Sequence, residues 1–182
     1  MPYEDLIETT LRQETLYKGP IVRVRRDQVL LPDGKPCARE VVEHPGGVCV
    51  AAMTDTGELL FVRQFRYPHG EVLLELPAGK LEPGEPPLPA ARRELAEETG
   101  AAAARWRGLG LFYPTPGYCG ERLYLYYATG LTFSAPHPDE EEFLQCERVP
   151  LDRAVQMVLA DEIPDGKTQA VVLKVAMLRG SL

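Results

Sequence analysis

The chain has 182 residues, 45% of them hydrophobic and 26% charged, which suits one domain with an ordinary core and room for an appended element. Its formal net charge of −7 lacks the basic footprint that non-specific nucleic-acid binding needs. No cationic segment followed by an apolar run opens the chain and no apolar stretch approaches a bilayer span, so a soluble, unexported, cytoplasmic protein without a membrane partner is expected.

In chain order, the first ten residues are polar and are expected to be loosely held. Residues 14–31 suggest strand, with Ile21, Val22, Val24, Val29 and Leu30 set among arginines. A Pro32-Asp33-Gly34-Lys35 turn leads to a second strand over 38–43, a hairpin-like pair. Pro45-Gly46-Gly47 marks a break, so residues 1–44 are read as a small antiparallel β element and 45–182 as the main domain. There, VCVAAM and ELLFVRQFR flank a Thr54-Asp55-Thr56-Gly57 turn and predict an antiparallel pair. A short strand follows over 73–77. Beyond residue 101, strands are predicted over 109–113 and 123–128, joined by PTPGYCGE, and near 145–149. Helices are predicted over 151–160 and 167–178. Strands mixed with a few helices indicate an α/β sandwich. The cysteines Cys37, Cys49, Cys119 and Cys146 form no C-x-x-C pair, and His44 does not make a zinc spacing with the first two. Reduced thiols are expected.

The segment from Gly79 to Ala101, GKLEPGEPPLPAARRELAEETGA, carries the chemistry. Gly79 and Gly84 bracket a turn, and prolines keep the chain out of helix until about Leu88, with Pro89 fitting the first helical position. Leu88, Ala91 and Leu95 form an apolar stripe, and Gly100 fits a left-handed C-terminal cap. Glu94, Glu97 and Glu98 share an arc of roughly 100° on this helix. Like charges four residues apart disfavour an isolated helix by about 0.2–0.5 kcal/mol. A solvated acidic face is the plain alternative. The rigid loop–helix–loop favours a hard divalent cation instead, since Mg²⁺ is usually held by one or two carboxylates plus substrate phosphates.

Gly79, Glu85, Arg93, Glu94, Leu95, Glu97, Glu98, Gly100 and Ala101 match every fixed position of the Nudix box, G-x5-E-x7-R-E-U-x-E-E-x-G-U, where U is bulky or aliphatic. The chain therefore resembles Nudix hydrolases over about residues 45–180. The resemblance implies an α/β/α sandwich with a mixed sheet, and Mg²⁺-dependent, or Mn²⁺-dependent, hydrolysis of a nucleoside diphosphate linked to another group. FVRQFRYP, ELPAGKLEPGE and Pro116 in YPTPG resemble the ADP-ribose pyrophosphatase branch, which implies ADP-ribose as substrate and AMP and ribose 5-phosphate as products. FAD, a dinucleotide or GDP-mannose remain open as substrates within that chemistry. A non-catalytic ADP-ribose sensor is the reading from another class, although such modules typically lose box glutamates.

The resemblance also implies roles. Glu94 and Glu98 would be metal ligands, with Glu97 assisting and the Ala78 carbonyl completing the shell. Gly79, Glu85, Arg93 and Gly100 would be structural. In the acidic run Asp139–Glu142, Glu140 would be the base and Glu142 a further ligand, with Glu141 still open as the base. Arg63 and Arg66 are read as alternating onto one strand face with Phe61 and Phe65, and planar guanidinium groups suit a diphosphate. Tyr67 and Tyr113 are candidates to stack on adenine. Lys167-Thr168-Gln169 also resembles the branch and receives no role. Related enzymes are homodimers that exchange N-terminal strands, and an isolated two-stranded ribbon is marginal, so a homodimer is expected.

Overall fold

The computed structural model describes residues 3–137 and 143–180. They form two compact units, one running up to Gly46 and including Tyr113–Arg122, the other made of Gly47–Phe112 and the described residues from Leu123 on.

The first unit is an antiparallel sheet of β1 (Thr9–Lys18), β2 (Arg23–Leu30) and β3 (Pro36–Glu43), in that order. Gly34, at φ 81°, closes the β2–β3 turn. The segment 113–122 joins β3 through the Val42 amide, which donates to the Tyr118 carbonyl at 2.8 Å, and through Gly120, whose amide donates to the Val42 carbonyl at 2.8 Å. β1 is a separate strand that begins inside the stretch expected to be loose. Its sequence TTLRQETLYK lacks apolar alternation and every residue is exposed, so no face of it announces a strand. Ladder hydrogen bonds to β2, interrupted by irregularities at Thr10/Arg12 and Thr15/Tyr17, hold it.

In the second unit the strands are β4 (Gly47–Met53), β5 (Glu58–Arg66), β6 (Glu71–Glu75), β7 (Ala78–Lys80), β8 (Ala101–Phe112), β9 (Leu123–Phe133) and β10 (Gln145–Pro150). The sheet runs β10-β5-β4-β9-β8, with β6 on β5 and β7 on β4. β4 is parallel to β9 while the other pairs are antiparallel. This is the mixed sheet that the α/β reading requires. β4 is buried throughout because both of its faces are covered. Cys49, Ala51 and Met53 join a core with Phe61, Val155, Val171 and Val175, the last three from α2 (Leu151–Leu159) and α3 (Gly166–Arg179). Val48, Val50 and Ala52 face Ala90, Ala91 and Leu95 of α1 (Pro87–Thr99). The period of two along a strand thus builds the two layers.

β8 is longer than the expected 109–113 because its first half, AAAARWR, has few β-favouring residues. Register with β9 from Ala101↔Phe133 onward imposes the extended form. β7 is a further strand that three residues alone could not signal. It pairs Ala78 with Cys49 and Gly79 with Val48. α1 starts at Pro87, two residues before the expected Pro89, with Pro86 as an extended N-cap. Proline at the first helical position removes an amide that would lack a helical partner.

Candidate active site

The box helix ends as its glycine predicts. Gly100 sits at φ 67° and its amide donates to the Ala96 carbonyl at 2.9 Å. A Cβ there would lie 2.2 Å from the Ser134 carbonyl oxygen, because the chain leaving β9 runs against the helix end. The Ser134 amide donates to the Gly100 carbonyl at 2.7 Å, and the His137 amide to the Glu97 carbonyl at 3.0 Å.

On α1 the carboxylates divide by burial. Glu94 and Glu98 are buried and Glu97 is half-buried. Glu98 Oε2 accepts from the Ala78 amide at 3.1 Å, so β7 reaches the helix through its first residue. Gly79 comes closer still, since an added Cβ would stand 1.9 Å from the Glu94 carboxyl carbon. Only glycine lets the strand pass this carboxylate. Arg93 ties the outer side together. Its Nη1 donates to Glu94 Oε1 and to Glu97 Oε2, both at 2.9 Å, and its Nε and Nη2 grip Glu85 at 3.1 and 2.9 Å. A fifth contact, Nη2 to the Lys80 carbonyl at 3.2 Å, closes the turn on the helix. The Arg93 hydrogen bond holds the Glu85 carboxyl below its ordinary pKa. Gly79, Glu85, Arg93, Glu94, Glu97 and Glu98 thus come together, with Ala78 beneath them.

Among the described residues no three His, Cys, Asp or Glu side chains form a closed cation cage. Mg²⁺ does not require one, because it keeps open positions for water and substrate phosphate. Two buried carboxylates one helical turn apart, beside a strand with no side chain at Gly79, fit such an ion. Glu140 and Glu142 lie outside the described residues.

The two arginines of β5 separate. Arg63 and Arg66 are three residues apart, so they occupy opposite strand faces, and the same-face expectation is corrected. Arg63 pairs with Glu147 of β10, on the face it shares with buried Phe61. Arg66 crosses to β6, where Nε donates to Glu75 Oε1 at 2.7 Å and Nη2 to Oε2 at 2.9 Å. Tyr67, just past the strand, is 87% exposed. Pro116 and Tyr113 are exposed in the first unit.

Sequence reasoning passed over Glu75. It is 1% exposed, and burial alone would raise its pKa. The Arg66 hydrogen bond and the Lys167 charge outweigh that and hold the carboxyl at about 2. Its one signal was an acid set within the apolar run VLLELP.

An α/β/α sandwich whose glycine-passed, arginine-clamped helix presents buried glutamates is the architecture of a Nudix domain. Residues 43–170 match the NUDIX domain, and residues 8–42 match the nucleoside diphosphate sugar hydrolase N-terminal domain. This chain belongs to the Nudix family of hydrolases. It is 39% identical over 167 residues to an ADP-ribose pyrophosphatase of Bacillus subtilis (strain 168), covering 91% of this chain and 90% of the relative. An ADP-ribose pyrophosphatase of Mycobacterium tuberculosis is 42% identical over 169 residues, 91% of this chain and 82% of the relative. A methanol dehydrogenase activator of Bacillus methanolicus is 40% identical over 167 residues, with 91% and 90% covered. A crystal structure of an ADP compounds hydrolase shares the fold at a TM-score of 0.83 and 23% identity, covering 96% of this chain and 95% of that one.

Proposed function

We propose that this protein hydrolyses the pyrophosphate bond of ADP-ribose, giving AMP and ribose 5-phosphate, with Mg²⁺ or Mn²⁺ as cofactor. The observation that carries the reading is the buried pair Glu94 and Glu98 beside the Gly79 strand, in a chain about two-fifths identical to two ADP-ribose pyrophosphatases. A divalent ion supplies Lewis-acid charge at the phosphoryl oxygens and lowers the pKa of water. Glu94, Glu98 and the Ala78 carbonyl would hold it, with Glu142 as a further ligand. Glu97 assists, kept in place by Arg93. Glu140, three residues beyond the tethered His137, takes the proton of the attacking water. That oxygen bonds to one phosphorus as the bridging oxygen departs with the other. Arg66, rather than Arg63, offers the diphosphate the guanidinium edge that Glu75 leaves free, Tyr67 stacks on the adenine, and Pro116 shapes the substrate loop.

The active form is a homodimer built on the first unit. The support is the edge strand β1, which exposes Leu11, Leu16 and Tyr17 beside exposed Leu6 and Ile7, more apolar surface than a three-stranded sheet can cover alone. Four free thiols favour the reducing cytoplasm. Among the described residues no helix is long and apolar enough to cross a membrane.

A second substrate has its own support, because GDP-mannose pyrophosphatases of several Salmonella strains are 31–32% identical over 140 residues. The test is a product assay with Mg²⁺ on ADP-ribose, FAD, GDP-mannose and 8-oxo-dGTP, run side by side and resolved by chromatography. AMP released preferentially from ADP-ribose is the expected result. GDP-mannose as the best substrate would overturn the substrate while leaving the chemistry. Silence on all four would favour a sensor. Equilibrium sedimentation that gave one chain per particle would overturn the dimer.

A further inference from the structure

The segment Lys167-Thr168-Gln169 has no part in the reading above, yet it enters an ionic quartet centred on buried Glu75. Asp165 is the N-cap of α3, and its Oδ2 accepts from the Thr168 amide at 2.9 Å. Its Oδ1 accepts from Lys167 Nζ at 3.0 Å. Lys167 Nζ also donates to Glu75 Oε2, the oxygen to which Arg66 Nη2 donates as well. Two cations and two carboxylates therefore alternate along the chain Asp165–Lys167–Glu75–Arg66.

Exposure is least at Glu75 and greatest at Arg66. The side chains of Glu75 and Lys167 are 2% and 14% exposed, whereas that of Arg66 is 36% exposed. Arg66 is the member that reaches solvent, and it lies within electrostatic range of Glu98. A second, neutral bond joins the same elements, for the Leu76 amide donates to the fully buried Thr168 hydroxyl at 2.9 Å. Anchoring of α3 to β6 is thus already served by Thr168, without any ion pair.

We infer that Lys167 is a positioning residue for substrate binding: it fixes the Glu75 carboxylate, and Glu75 in turn aims the Arg66 guanidinium. A carboxylate gripped by one partner can swivel together with that partner about its terminal torsion, whereas one held by two separate partners cannot. A bidentate fork transmits that fixed plane to the guanidinium. Loss of Lys167 frees Glu75 to follow Arg66, and leaves an excess negative charge next to the group that must meet a diphosphate. The inference rests on Arg66 as the diphosphate binder proposed above.

The test is a double-mutant cycle in steady-state kinetics on ADP-ribose with Mg²⁺, joining Lys167→Met and Arg66→Ala, with Thr168→Val as the anchoring control. Lys167→Met is expected to raise KM about tenfold while kcat stays within about threefold. In the Arg66→Ala background the same change should add less than about twofold. Lys167→Arg, which keeps the charge, is expected to recover part of the loss. Thr168→Val should lower the melting temperature with KM unchanged. Glu75→Gln, read by the same criteria, serves if Lys167→Met does not fold. A Lys167→Met enzyme that loses thermal stability at unchanged KM overturns the inference, as does a KM effect that persists in full without Arg66. If Arg66→Ala alone leaves KM unaltered, the diphosphate role of Arg66 fails, and the inference fails with it.

Discussion

Two ionic clusters of the second unit use the same residue types to opposite ends. Around the box helix one guanidinium, Arg93, is divided among Glu85, Glu94 and Glu97, with Glu98 one turn from Glu94. Beside α3 two cations and two acids alternate in a chain from Asp165 to Arg66. The first cluster concentrates negative charge at a place where the strand has no side chain, and such a place attracts a hard cation. The second balances itself, so burial of Glu75 is tolerated and its geometry is available for aiming a neighbour. In the proposed reading the acid-rich cluster serves a ligand and the alternating one serves as scaffold.

The largest effect expected from this contrast lies in the first cluster. Glu98→Gln should abolish turnover at an unchanged melting temperature, and activity retained within about tenfold would remove Glu98 from the metal site. Gly79→Ala should be nearly as damaging for a steric reason. Its Cβ would meet the Glu94 carboxyl at 1.9 Å, so the carboxylate must leave its place, with a stability loss of about 1–3 kcal/mol. Denaturant melts alongside Mg²⁺-dependent activity separate the two losses, and a fully active Gly79→Ala enzyme would break the comparison.

The second cluster predicts an acid-sensitive window. Glu75 is held at about 2 against an ordinary 4.5, so the unfolded chain takes up the proton first. Its contribution is complete above about pH 5 and drains away as the pH falls toward 2, in total about 3 kcal/mol. Urea unfolding at a series of pH values should show this slope, and Glu75→Gln should flatten it. An unchanged slope in that variant would assign the acid sensitivity elsewhere. The smallest effect should come from Arg63→Ala. Arg63 pairs with Glu147 on the opposite face from Arg66, with both side chains more than a third exposed. Such a pair is worth about 0–1 kcal/mol, and KM should remain within about twofold.

Nearly all of the box was legible because its parts lie within one stretch of chain. The Gly79 and Gly100 positions, the helix between them and the spacing of Glu94 and Glu98 are local facts, written in turn chemistry and the 3.6-residue period. One layer of the core was partly legible, since helical spacing in α2 declares its face, whereas VCVAAM is apolar throughout and only packing divides it between the two layers. The first half of β1, its separation from β2 and the first half of β8 were hidden, for these strands are held by partners and their side chains carry little pattern of their own.

The sequence by itself determined the class of fold, the box helix with its caps, and the spacing of Glu94, Glu97 and Glu98 on one arc of that helix. Tertiary structure alone decided which charges meet. Arg66 found Glu75 across a β5–β6 pairing, Lys167 arrived from a helix ninety-two positions away, and Arg63 was drawn to β10. Local rules reach about one turn of helix or one hairpin. Contacts at longer range depend on how sheets register and helices pack, and a buried charge takes whichever partner that packing brings within reach.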